Sequence, residues 1–178
     1  MPRSTLTVVL ATVPILILPA LPQAEDAWRA PVLQWHQADS MSELVSSLDD
    51  WLDARANWPR RDVAPSVRLV SEWEAAARQG PTTSFQRGPL RGLYDPERSE
   101  ILLVSPWEPH RPGDVAVLLH ELIHHRQTPH HWYCPAAQEL PAYRLQEAWL
   151  LEQGLSLDVD WIAVVLDAGC SPRDVHPE

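Results

Sequence analysis

From Asp114 to Pro129 the chain reads Asp-Val-Ala-Val-Leu-Leu-His-Glu-Leu-Ile-His-His-Arg-Gln-Thr-Pro, and this stretch constrains the fold more than any other. Val115, Leu118, Leu119, Leu122 and Ile123 recur at helical spacing, so they form an apolar stripe that must be buried. Asp114 is a suitable N-cap, and Pro129 cannot continue a helix. The same periodicity places His120 and His124 one turn apart on another face. Such a helix needs a core on one side and carries two imidazoles on the other. The remaining elements have to supply that core and meet those imidazoles.

Those elements are short. Ser40-Met-Ser-Glu43 has the form of a capping box, and Met41, Leu44, Val45, Leu48, Trp51 and Leu52 continue at helical spacing, predicting a first helix to about Ala56. Ser66 to Val70 reads as a strand, and Glu72 to Gln79 as a helix closed by Gly80-Pro81. Leu90 to Tyr94 and Glu100 to Val104 flank Asp95-Pro-Glu-Arg-Ser99 and predict a β-hairpin. After the motif helix, one helix is expected over about Gln138 to Gln153, stopped by Gly154. A last helix is expected from near Asp158 to Gly169. The order is that of an α+β domain with a small sheet, its hairpin packed on the motif helix and further helices toward the C-terminus.

The N-terminal residues carry a different message. One arginine, an uncharged run from Leu6 to Leu18 and Ala24 before the first acid, Glu25, make a secretory signal peptide over residues 1–24. The run is short for a membrane span and is interrupted by Pro14 and Pro19. An exported protein is expected, periplasmic or secreted, with no membrane attachment after cleavage. Residues 25–38 form a lead-in, and residues 39–178 one domain. Lysine is absent throughout. Loss of the leader removes Arg3 and no acid, leaving 13 arginines against 24 acids, a formal charge of −11. That balance argues against nucleic acid or an anionic membrane as partner. Cys134 and Cys170, in an oxidising compartment, are expected to form a disulfide; zinc ligation by Cys134 is the competing reading. The nine tryptophans are expected to fill the core for the most part.

His120-Glu121-Leu122-Ile123-His124 fits the H-E-x-x-H pattern. Two imidazoles at i and i+4 can aim at one zinc ion, which lowers the pKa of a water to about 7. Glu121, beside the first ligand, can take that water's proton as it attacks a carbonyl carbon. The third ligand is open between His130, Glu139 and Glu147. His124 to His130 has the spacing of the metzincin motif. However, Gln127 stands where that motif needs a turning glycine, and no methionine lies downstream of Met41. His125, His130 and His131 are not assigned a catalytic role.

Glu139-Leu-Pro-Ala-Tyr143 resembles the E-x-x-A element that follows H-E-x-x-H in gluzincin-type metallopeptidases. The hairpin, H-E-L-I-H-H-x-Q, the cysteine and E-x-x-A-Y-x-L-Q together resemble a family of small exported proteins. That family is a domain of unknown function with zincin-like character. The resemblance covers about residues 65 to 170, and its specific part is His120 to Gln146. It implies zinc held by His120, His124 and Glu139, with Glu121 as general base. Tyr143 stands where gluzincins carry an aspartate. It is expected either to donate to a ligand or a developing oxyanion, or to pack half-buried within the helices. Pro141 is tolerated only in a helix's first turn, which puts Glu139 at the helix start.

These readings converge on an exported zinc-dependent hydrolase, a peptidase acting on a peptide or protein aligned along the strand Glu100 to Val104. The competing expectation is a zinc-stabilised binding or interaction domain without turnover.

Overall fold

The computed structural model describes residues 35–79 and 88–170. The leader, the lead-in up to residue 34 and the Gly80-Pro81 helix end lie outside the described residues. Among the described residues the chain is α+β, with five α-helices and one three-stranded sheet. None of these helices is long and apolar enough to cross a membrane.

Helix α1, Met41–Asp53, starts at Ser40, whose hydroxyl accepts the Glu43 N–H at 3.3 Å. The Glu43 carboxylate reaches back to the N–H of Asp39, one residue before the cap, at 2.9 Å. The helix stops short of Ala56 because Ala54 already serves as its C-cap. Strand β1 is Ser66–Val70, helix α2 is Glu72–Gln79, and the hairpin strands are β2, Gly92–Asp95, and β3, Glu100–Val104. The sheet order is β1-β3-β2, with β3 parallel to β1 and antiparallel to β2.

This order corrects the expectation that Glu100 to Val104 is the substrate-aligning edge. Ile101, Leu102, Leu103 and Val104 are all buried, a continuous apolar run that suits a strand covered on both faces. Leu102 and Val104 pack with Val70 and with Ala75 of α2, whereas Ile101 and Leu103 join the main core. The edges are β1 and β2.

Helix α3, Pro112–Gln127, carries the motif. It begins before Asp114, because Pro112 occupies its first turn, where a missing N–H costs nothing. Asp114 is therefore not the cap. Its buried carboxylate takes the Arg91 guanidinium at 2.7 Å and the Glu108 N–H at 3.0 Å. Helix α4 is Glu139–Glu152, entered through a 3-10 turn at Pro135–Gln138, and α5 is Trp161–Ala168. Cys134 and Cys170 are joined, fastening the lead into α4 to the end of α5.

The core lies between α1, α3, α4 and one sheet face. It contains Leu44, Leu48, Trp51 and Leu52, the stripe Val115, Leu118, Leu119, Leu122 and Ile123, and Trp149. Of the tryptophans, Trp35, Trp51, Trp107 and Trp149 are buried, while Trp73 is 80% exposed, so the core does not account for all of them. One buried charge network crosses this core. Arg126 of α3 donates to the Asp49 carboxylate at 2.8 Å, to the Asp49 carbonyl at 2.7 Å and to Asp53 at 2.8 Å. It locks the end of the motif helix to α1.

Candidate metal centre

His120 and His124 project from α3 because the i, i+4 spacing puts both on the face opposite the stripe. Glu139 comes from the first residue of α4, with Pro141 in the same turn. The structure brings these three together. His120 Nε2 lies 3.1 Å from His124 Nε2 and 3.2 Å from Glu139 Oε2, and His124 Nε2 lies 3.4 Å from Glu139 Oε1. Tetrahedral coordination with bonds of about 2.0–2.1 Å requires ligand atoms about 3.3–3.4 Å apart, so the trio has the spacing of one metal ion's ligands. His130 and Glu147 do not belong to it.

Two glutamines stand behind the histidines. His120 Nδ1 meets Gln146 Oε1 at 3.1 Å, and His124 Nδ1 meets Gln127 Oε1 at 2.9 Å. An amide oxygen can only accept, so each Nδ1 carries the proton and each Nε2 turns its lone pair inward. Gln127 is fully buried and its amide group also donates to the Gln138 carbonyl, just before Glu139. Both glutamines close the motifs H-E-L-I-H-H-x-Q and E-x-x-A-Y-x-L-Q, yet the sequence alone assigned neither a role at the site. The available signal was periodicity: Gln127 follows His124 by three, and Gln146 shares a helical face with Glu139 and Tyr143.

Glu121 is buried against strand β2. The Tyr94 N–H faces its carboxylate and favours the charged form, and Gly92 lies beneath it. Burial raises its pKa above the ordinary carboxylate value, with His120 and His124 opposing and Glu139 adding to the rise. Tyr143 stacks at a tilt on His120, ring centroids 4.5 Å apart. Burial first, then the Glu139 and Glu121 carboxylates, raise its phenol well above the usual value, so it remains a hydrogen-bond donor.

The other histidines have different places. His125 is buried on the far side, its Nδ1 3.0 Å from Tyr94 Oη and its Nε2 donating to the Val63 carbonyl at 3.1 Å. Burial, with Arg61 beside it, lowers its pKa to about 4. It is a neutral structural residue. His130 and His131 are exposed. Cys134 is committed to the disulfide and is not a ligand.

Three inward lone pairs repel one another unless a cation lies among them, and the donor set suits a divalent metal. A proton is the substitute. Burial pulls the His124 imidazole down, but Glu139, Glu121 and Gln127 outweigh it and raise its pKa to about 9. Burial pushes Glu139 up, but His124 and His120 hold it well below the usual carboxylate range. In the metal-free protein the His124 contribution to stability is complete below its ordinary pKa of 6.5 and is lost as pH rises through about 9. Metal binding near pH 7 displaces this proton. Metal affinity should therefore climb about tenfold per pH unit up to pH ~9 and then level off. Chelator competition at several pH values, corrected for the chelator's own protonation, measures it. A flat profile contradicts the assignment of the proton.

A protein-family model described as Domain of unknown function (DUF6647) matches residues 37–178, a span that contains the whole site. No curated protein and no solved structure matches the chain.

Proposed function

We propose that this chain, which belongs to the DUF6647 domain family, is an exported zinc-dependent hydrolase with a zincin-like domain, acting on a peptide or protein substrate. The observation that carries the reading is the convergence of His120 Nε2, His124 Nε2 and Glu139, each imidazole backed by a glutamine, with Glu121 beside them. His120, His124 and Glu139 would hold the ion. Zinc, when bound by three protein ligands, keeps a position open, acidifies a water and polarises a carbonyl oxygen. A site serving only structure has no need of a carboxylate next to its first ligand.

Glu121 takes the proton of the attacking water, and its raised pKa brings it closer to the working range of a general base. Tyr143, kept protonated, donates to the oxyanion that develops on the substrate carbonyl. With β3 in the centre of the sheet, the edge next to α3 is β2, and an extended peptide adding to that edge lies alongside the trio. The disulfide fits an oxidising compartment and supports the exported reading.

Elemental analysis of the purified protein is expected to find about one zinc per chain. His120→Ala and His124→Ala should each abolish it, Glu139→Gln should weaken retention strongly, and His130→Ala should leave it nearly intact. Unchanged zinc in both histidine variants removes the site. A zinc-loaded protein that cleaves nothing in a broad peptide library favours the binding domain over the enzyme.

A further inference from the structure

The seat of Glu121 is built by strand β2. A Cβ atom added to Gly92 would lie 2.7 Å from Glu121 Oε1, 2.9 Å from Glu121 Cγ and 2.8 Å from Val117 Cγ1. These separations are shorter than non-bonded carbon contacts allow, and the Glu121 atoms are held on a buried helix face. The bare backbone at position 92 is what lets the carboxylate lie down on the strand. The second half of the seat is two residues on. The Arg91 carbonyl accepts the Val104 N–H at 2.9 Å, and Leu93 pairs with Leu102, so alternation turns the Tyr94 N–H away from β3. That N–H faces the Glu121 carboxylate and favours its charged form. A donor that has no partner among the described strands is thereby used to fix the direction of one side chain.

We propose that Gly92 is the positioning residue for the general base: its missing side chain, with the Tyr94 N–H, holds the Glu121 carboxylate facing the ligand trio. The proposal rests on the reading of Glu121 as base, but half of its test does not. In zinc-loaded Gly92→Ala the added methyl lifts the carboxylate off the strand. Zinc content stays at the wild-type level, because no ligand moves. The Tyr94 amide loses its partner and exchanges with solvent at least about tenfold faster, while the Leu93 amide, bonded into the sheet, is unchanged. Cleavage of the best library peptide falls roughly 10²-fold in kcat with KM little altered, the cost of a base displaced by about an ångström.

Because the methyl also meets Val117, Gly92→Ala is compared with Gly92→Ala/Val117→Ala, in which that second clash is relieved, and with Val117→Ala alone. The double variant should keep both losses, and the single Val117 variant should show neither. Wild-type Tyr94 protection and kcat in Gly92→Ala overturn the proposal. So does their full recovery in the double variant, which would make Gly92 a helix-packing residue only. If the zinc-loaded wild type cleaves no peptide, the hydrolase reading fails, and the exchange rate of the Tyr94 amide alone decides the seat.

Discussion

Glu121→Gln is expected to lower peptide hydrolysis by roughly 10²–10⁴-fold, the usual contribution of a positioned general base. The amide keeps the length and shape of the carboxylate and can still accept the Tyr94 N–H through its oxygen. It cannot take a proton from the attacking water. Glu121 lies outside the ligand trio, so zinc content should match that of the wild type. Thermal stability should hold or rise slightly, because a buried charge is replaced by a neutral group. The comparison requires both proteins at equal zinc, assayed on one peptide over a range of concentrations, with the loss in kcat rather than KM. Equal rates would show that the cleavage arises elsewhere.

The second large effect concerns stability. Arg126→Ala should cost about 3–5 kcal/mol, the range found when one partner of a buried ion pair is removed. Arg126 is 1% exposed and Asp49 6%, so the variant leaves a carboxylate in the core without its cation. Burial already raises the Asp49 pKa despite the guanidinium beside it. A folded-state pKa above the unfolded value means that protonation favours the folded form. The deficit of Arg126→Ala should therefore shrink as pH falls from 7 toward 4. Denaturant titrations at both ends of that range measure it. A deficit that stays constant with pH would mean that lost packing, not the stranded charge, is the cause. Replacing Arg126 and Asp49 together by leucine should recover much of the loss.

The sequence was most legible where local rules act alone. The capping residues at Ser40 and Glu43, the apolar periodicity of α1 and α3 and the Asp95 to Ser99 turn determine their elements without help from distant residues. The two histidines were legible because i, i+4 spacing is local as well; Glu139 was reached through the resemblance of its E-x-x-A stretch, the residues alone leaving His130 and Glu147 open. What escaped needed tertiary knowledge. The place of β3 in the sheet depends on β1 arriving parallel to it from far along the chain, which no hairpin pattern encodes. Its unbroken apolar run was the available sign. Asp114 read as a cap, yet Pro112 had already opened the helix and Arg91 had claimed the carboxylate. Gln127 and Gln146 are ordinary helix residues until two histidine rings turn their Nδ1 atoms toward them. Gly92 read only as one residue of the strand Leu90 to Tyr94, because the carboxylate above it comes from another element.

The bridge between Cys134 and Cys170 encloses α4, α5 and the segment between them in one covalent ring. His120 and His124 stand before that ring and Glu139 stands inside it. The linker from Gly154 to Asp160 is largely exposed, which makes it an accessible place for a protease to cut. A cut there opens the ring but releases no fragment, since the piece carrying α5 stays attached through Cys170. Glu139 remains joined by unbroken chain to the histidines it completes. The molecule can thus be nicked at its accessible linker and keep all three candidate ligands on one covalent assembly, whereas reduction after such a nick sets α5 free.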